Sequence, residues 1–175
     1  MKTYILLLRG INVGGHNLIP MKALTALLTG LGFKNVKTYI QSGNVVLQSD
    51  VALDQGLAGA IEAEFGFKPD IMVLEHSVFK AAAAQNPYAA GEGKAVHLYF
   101  SNHTLNPDTE KLNKLAVNGE AFTFSDKVFY LHAPNGIGRS KLAAGLDKCL
   151  GVPVTGRNLN TVNKLLELSN LDTPE

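Results

Sequence analysis

The chain has 175 residues, 46% of them apolar and 18% charged, with sixteen basic and fifteen acidic side chains giving a formal charge of +1. That is the composition of an ordinary globular protein, and the near-neutral balance argues against a broad surface for polyanions while leaving room for a local basic pocket. One cysteine, Cys149, excludes an internal disulfide framework and fits a reducing compartment.

No apolar run approaches the roughly 20 residues of a membrane-spanning helix, so no membrane partner is expected. The short apolar run at residues 4–8 is not expected to be a signal-peptide core, and a cytoplasmic location is the default.

Residues 4–8 are apolar at every position, as expected for a strand covered on both faces. The segment Arg9-Gly10-Ile11-Asn12-Val13-Gly14-Gly15 follows, and a loop is expected to run to Ile19. Pro20 then opens a helix on which Leu24, Leu27, Leu28 and Leu31 recur at helical spacing, and Gly30 and Gly32 end it. Strands are expected over residues 36–41 and 45–48, joined at Ser42-Gly43-Asn44. Asp50 or Asp54 is a suitable cap for a helix carrying Leu57, Ile61 and Phe65, with Gly66 as its stop. A strand over residues 68–74 and a helix over 77–85 complete a first half.

Asn86-Pro87-Tyr88 and Gly91-Glu92-Gly93 read as a linker, after which the order returns. Strands are expected over residues 95–101, 121–125, 128–132 and 152–157, with helices over 107–117, 140–150 and 161–169. Gln55, Leu57, Ile61, Phe65 and Gly66 match Ser140, Leu142, Leu146, Leu150 and Gly151 at a constant offset. Together with the repeated order, this favours an α+β fold of duplicated ferredoxin-like βαββαβ units, residues 1–90 and 91–175, each with an added helix. Helices cover one side of such a sheet, so the other side is expected to need the partner half or a second subunit.

Three stretches attract attention as anion sites. Arg9, Gly10, Asn12, Gly14 and Gly15 combine a cation with backbone open to close approach, although Walker A and dinucleotide fingerprints are both missing. Arg139 and Lys141 flank Ser140, a candidate cap at a helix start. Arg157 and Asn158 lie at a strand-to-helix junction, where Asn158 or Asn160 can cap and Arg157 is left to pair with a ligand or a carboxylate.

No catalytic set is visible. The five histidines show no metal-ligand spacing, Ser42 lacks a nucleophile elbow, and Cys149 shares a helix face with Leu142 and Leu146. No cofactor is indicated. His97, Tyr99, Tyr130 and His132 alternate with apolar residues, which raises RNA binding through an aromatic second sheet as an alternative, and a protein-interaction module is another.

Residues 8–15 through Pro20-Met21, the stretch Thr38-Tyr39-Ile40-Gln41-Ser42-Gly43-Asn44-Val45-Val46, and Gly138-Arg139-Ser140-Lys141-Leu142 with Arg157-Asn158-Leu159-Asn160-Thr161-Val162 form a recognisable pattern. Together they resemble the bacterial family catalogued as domain of unknown function 1697. The resemblance implies a cytoplasmic bacterial protein of ferredoxin-like α+β units and no particular activity. The chain departs from that pattern at His16, where the family often has a basic residue, and at Leu159, where an aromatic is usual. In such a unit the first and third strands are expected to run parallel. The Arg9 loop and the Ser42 turn are therefore expected at opposite ends of the first sheet, unable to build one pocket without the other half or a second subunit.

Overall fold

The structure, a computed structural model, describes residues 1–53, 56–117 and 119–170. It is α+β with two four-stranded sheets in which all neighbouring strands are antiparallel. The chain separates into two compact units, one of Met1–Ala81 with the chain from Lys164 onward, the other Ala82–Asn163.

The first unit runs β1 (Lys2–Arg9), α1 (Met21–Gly30), β2 (Lys34–Tyr39), β3 (Asn44–Ser49), α2 (Gly56–Phe65), β4 (Asp70–Glu75) and α3 (His76–Ala84), which continues into the second unit. Its sheet has the order β2-β3-β1-β4, so the apolar β1 is flanked on both sides. Tyr4, Leu6 and Leu8 pack with Leu24 and Leu28 of α1 and with Leu57 and Ile61 of α2. Ile5 and Leu7, which alternate with them, are fully buried too. Both faces of β1 are therefore dry, as its unbroken apolar run requires.

Asp54 and Gln55, a candidate cap and one member of the internal match, lie outside the described residues. Asp50 faces the N-terminal ammonium at 3.6 Å. The matched glycines Gly66 and Gly151 both have positive φ, 86° and 68°.

The second unit runs β5 (Val96–Phe100), α4 (Thr109–Leu115), β6 (Ala121–Phe124), β7 (Val128–His132), a 3₁₀ turn (Ile137–Arg139), α5 (Lys141–Ala144), α6 (Leu146–Leu150) and β8 (Thr155–Asn158). α7 (Leu159–Asn170) begins here and ends in the first unit. The sheet order is β6-β7-β5-β8, the same by position as in the first. Phe129 and Leu131 meet Leu112, Leu142, Leu146 and Leu150 in the core, and the free thiol of Cys149 is buried among them.

Two expectations are corrected. The continuous helix expected over residues 140–150 is two short helices broken at Gly145, whose lack of a side chain makes a helix interior costly there. Strands β1 and β3 are antiparallel, with Leu7 opposite Asn44. A helical crossover makes β1 and β2 run the same way, and the tight β2–β3 turn reverses the chain, so β3 must oppose β1. The Arg9 loop and the Ser42 turn consequently lie at the same end of the sheet.

Candidate functional site

Arg9 ends β1, half-buried and opposite Asp70 on β4. The chain then folds into a small hairpin. The Asn12 N–H donates to the Asn17 carbonyl at 3.0 Å, and the His16 N–H to the Val13 carbonyl at 2.9 Å. Gly14 and Gly15 form its tip at φ 58° and 77°, the paired positive values that a two-residue turn of this hand needs. A side chain on Gly10 or Gly15 would meet nothing within 4 Å, so these glycines are required by their backbone conformation and not by crowding. Among the described residues, the N–H groups of Gly14 and Gly15 donate to no protein acceptor.

Asn12 holds this hairpin down. Its Nδ2 donates to the Ile19 carbonyl at 3.0 Å and to the Gln41 carbonyl at 2.8 Å, while its Oδ1 accepts from the Ile19 N–H at 2.8 Å. Asn12 itself sits at φ 53°, which asparagine tolerates better than most residues. Its carboxamide is thus committed to the loop and serves as an anchor. The turn it grips packs tightly: a Cβ on Gly43 would fall 2.8 Å from Leu8 Cβ and 2.9 Å from Ile11 Cδ1. The Leu8 N–H donates to the Gly43 carbonyl at 2.8 Å.

This turn adjoins the candidate loop, although the residue pattern alone does not single it out. The signal was present, because a crossover followed by a hairpin fixes the direction of β3. Gln41 and Ser42 are exposed, and Ser42 Oγ accepts from Asn44 Nδ2 at 3.0 Å. Ile40 has φ 49°, a strained conformation for a β-branched residue.

The remaining candidates belong to the second unit. Ser140 is the cap anticipated for it, its Oγ accepting from the Ala143 N–H at 3.1 Å. The helix it caps has only four residues, so little helix dipole is available there. Arg139 and Lys141 beside it are exposed. Asn158 caps α7, its Oδ1 accepting from the Thr161 N–H at 2.9 Å.

β7 and β8 both finish beside the start of β5, with Val96 opposite His132 and His97 opposite Asn158. The loop bearing Arg139 and the junction at Asn158 therefore leave from one end of this sheet. Arg157 points to the other face: Gly156 lies directly against the Tyr99 ring, and strand alternation turns its neighbour away. Burial pulls the Arg157 guanidinium down to about 10, and its Nη1 donates to the Gly156 carbonyl at 2.8 Å.

The aromatic surface expected on the second sheet is not one surface. Leu98 opposes Tyr130 and Tyr99 opposes Phe129, so the two tyrosines lie on opposite faces. Tyr130 is only 2% exposed, and its hydroxyl donates to the Ala82 carbonyl at 2.7 Å. Tyr99 packs edge-on against Phe129, and burial pushes its hydroxyl up to about 12. Among the described residues, no three His, Cys, Asp or Glu side chains group as a metal site. No helix among them is long and apolar enough to cross a membrane.

The model of the DUF1697 proteins of unknown function matches residues 1–130. The chain belongs to the DUF1697 family. A solved structure of the conserved bacterial protein SP0830 from Streptococcus pneumoniae is similar to it, with 25% identity and a TM-score of 0.67. That likeness covers 96% of this chain and 98% of the other. A search of curated proteins finds no match.

Proposed function

We propose that this DUF1697 protein binds a small anionic ligand, a nucleotide or phosphorylated metabolite, at the loop end of its first sheet. The observation that supports this is the meeting of the Arg9 hairpin with the Ser42 turn, gripped through Asn12 and Gln41. Arg9 offers charge, and the N–H groups of Gly14 and Gly15, which have no protein acceptor among the described residues, offer donors of the kind that cradle phosphate oxygens. Arg139 and Lys141 are exposed cations of the other unit, and Arg157 there is half-buried, its Nη1 donating to the Gly156 carbonyl. Any reaction at this end would rest on positioning and charge stabilisation, as no activated nucleophile accompanies these residues.

The frame of the site is read as a ferredoxin-like βαββαβ unit, repeated over residues 1–90 and 91–175, each with an added helix. The equal strand orders and the glycine stops at Gly66 and Gly151 support that reading. Cytoplasmic residence is part of the same proposal, supported by the single buried thiol of Cys149.

A thermal-shift screen of nucleotides and phosphorylated metabolites tests the ligand, because anything that binds the native state raises its melting temperature. A hit that disappears in Arg9→Ala is expected. The absence of any hit across the screen would favour the second reading, a protein-interaction module. That reading draws on the exposed Val13, Leu18 and Ile40 side chains at the same end.

A further inference from the structure

Three large apolar side chains surround the Asn12 anchor and are mostly in solvent: Val13 at 64% exposure, Leu18 at 61% and Ile40 at 51%. Each is one residue from a group that the anchor holds. Val13 follows Asn12, Leu18 precedes Ile19, and Ile40 precedes Gln41. Successive Cα atoms are about 3.8 Å apart, so the three backbones are confined around one carboxamide. Scattered exposed apolar residues are ordinary, but these three are concentrated around one anchored loop.

The backbone adds a second observation. Ile40 stands in the left-handed region, at φ 49°, where a β-branched residue is strained. Asparagine or glycine would relieve that strain, yet the position holds an exposed isoleucine whose side chain contributes little to the core. Gln41, next to it, presents an exposed carboxamide that has no protein partner among the described residues. A cation, two amides without a protein acceptor among the described residues, three exposed apolar side chains and an unengaged carboxamide therefore belong to one end of one sheet.

We propose that the ligand of this site is a nucleoside phosphate. Resting on the anion-binding reading above, the assignment places the phosphate on Arg9 and the Gly14–Gly15 amides. The base packs on Ile40 and Leu18, with the Gln41 carboxamide bonding to its edge. A simple sugar phosphate would satisfy the first set of groups and leave the apolar side chains wet. Gln41 suits a base because its carboxamide both donates and accepts, as a base edge does.

The test is calorimetric titration of the full chain with the four ribonucleoside monophosphates, ribose 5-phosphate and inorganic phosphate. The expected result is that at least one nucleotide binds about tenfold or more tightly than ribose 5-phosphate, a gain of about 1.4 kcal/mol. Leu18→Ser with Ile40→Ser should erase that gain and leave ribose 5-phosphate unchanged. Gln41→Ala should reorder preference among the bases, and Arg9→Ala should weaken all three ligand classes. The exchanged apolar residues are exposed, so the variants fold, and their melting temperatures check this. Equal affinity for nucleotides and ribose 5-phosphate, both lost in Arg9→Ala, overturns the base contact and leaves anion binding standing. No binding by any of the six overturns both.

Discussion

The carboxamide of Asn12 donates to the carbonyl of Gln41 across 2.8 Å, joining two loops that are 29 residues apart in sequence. The same side chain makes two further bonds to Ile19. Asn12→Ala removes all three and places alanine at positive φ. A loss of about 2–3 kcal/mol is expected in urea unfolding, at about 1 kcal/mol per hydrogen bond. Asn12→Gly should lose less, since it keeps the backbone freedom. Equal losses for the two variants would mean that the bonds alone matter.

The glycines of this end separate into two kinds. Gly43→Ala puts a methyl against Leu8 and Ile11 at φ 93°, and a loss of about 2–4 kcal/mol is expected from overpacking and backbone strain together. Gly15→Ala meets open space and should cost only about 1–2 kcal/mol, from its positive φ. Chemical denaturation of both variants distinguishes crowding from conformation. A Gly43 variant as stable as the Gly15 variant would show that the turn can retreat.

Ile40→Asn should raise the melting temperature, by relieving about 1 kcal/mol of backbone strain, and should weaken nucleotide binding in the same protein. Stability and binding moving in opposite directions is what a strained functional residue predicts. A lower melting temperature would show that the isoleucine is held by packing.

Burial in the second sheet lowers the affinity of His97 for a proton, and its Nδ1 has no hydrogen-bond partner among the described residues. The unfolded chain therefore takes up that proton first as the solution is acidified. The stability tied to neutral His97 is fully present above about pH 6.5 and is lost as the pH falls through and below that value. His97→Gln should flatten the slope of melting temperature against pH in this range. An unchanged slope would assign it to other groups.

The basic loop of the second unit should prove to be built around its cap. Ser140→Ala is expected to cost about 1 kcal/mol, whereas Arg139→Ala should stay within about 0.5 kcal/mol of the parent. A large destabilisation by the arginine change would reveal a structural role for an exposed side chain.

Much of this architecture could be read directly from residue pattern. The unbroken apolar run at Tyr4–Leu8 identified a strand buried on both faces, and Gly66 and Gly151 marked helix ends, because those signals are local. What failed depended on direction or register. The placement of the Ser42 turn needed the sense of β3 relative to β1, which follows from connecting elements and not from residue type. Tyr99 and Tyr130 each looked like members of an aromatic face. Only the pairing of Leu98 with Tyr130 shows that alternation sends the two rings opposite ways. Gly145 was passed over inside an otherwise regular helical pattern, where one glycine is often tolerated. The carboxamide of Asn12 could not be assigned as an anchor, since its partners at Ile19 and Gln41 come from separate loops.

The first compact unit is discontinuous, formed by Met1–Ala81 and by the chain from Lys164 onward, whereas Ala82–Asn163 is a single run. During synthesis the second unit can close as soon as its own residues have emerged. The first, although made earlier, must wait for the last turns of α7 before it is whole. A ribosome stalled before residue 164 would hold the first unit unfinished, its N-terminal part made ahead of the segment that completes it.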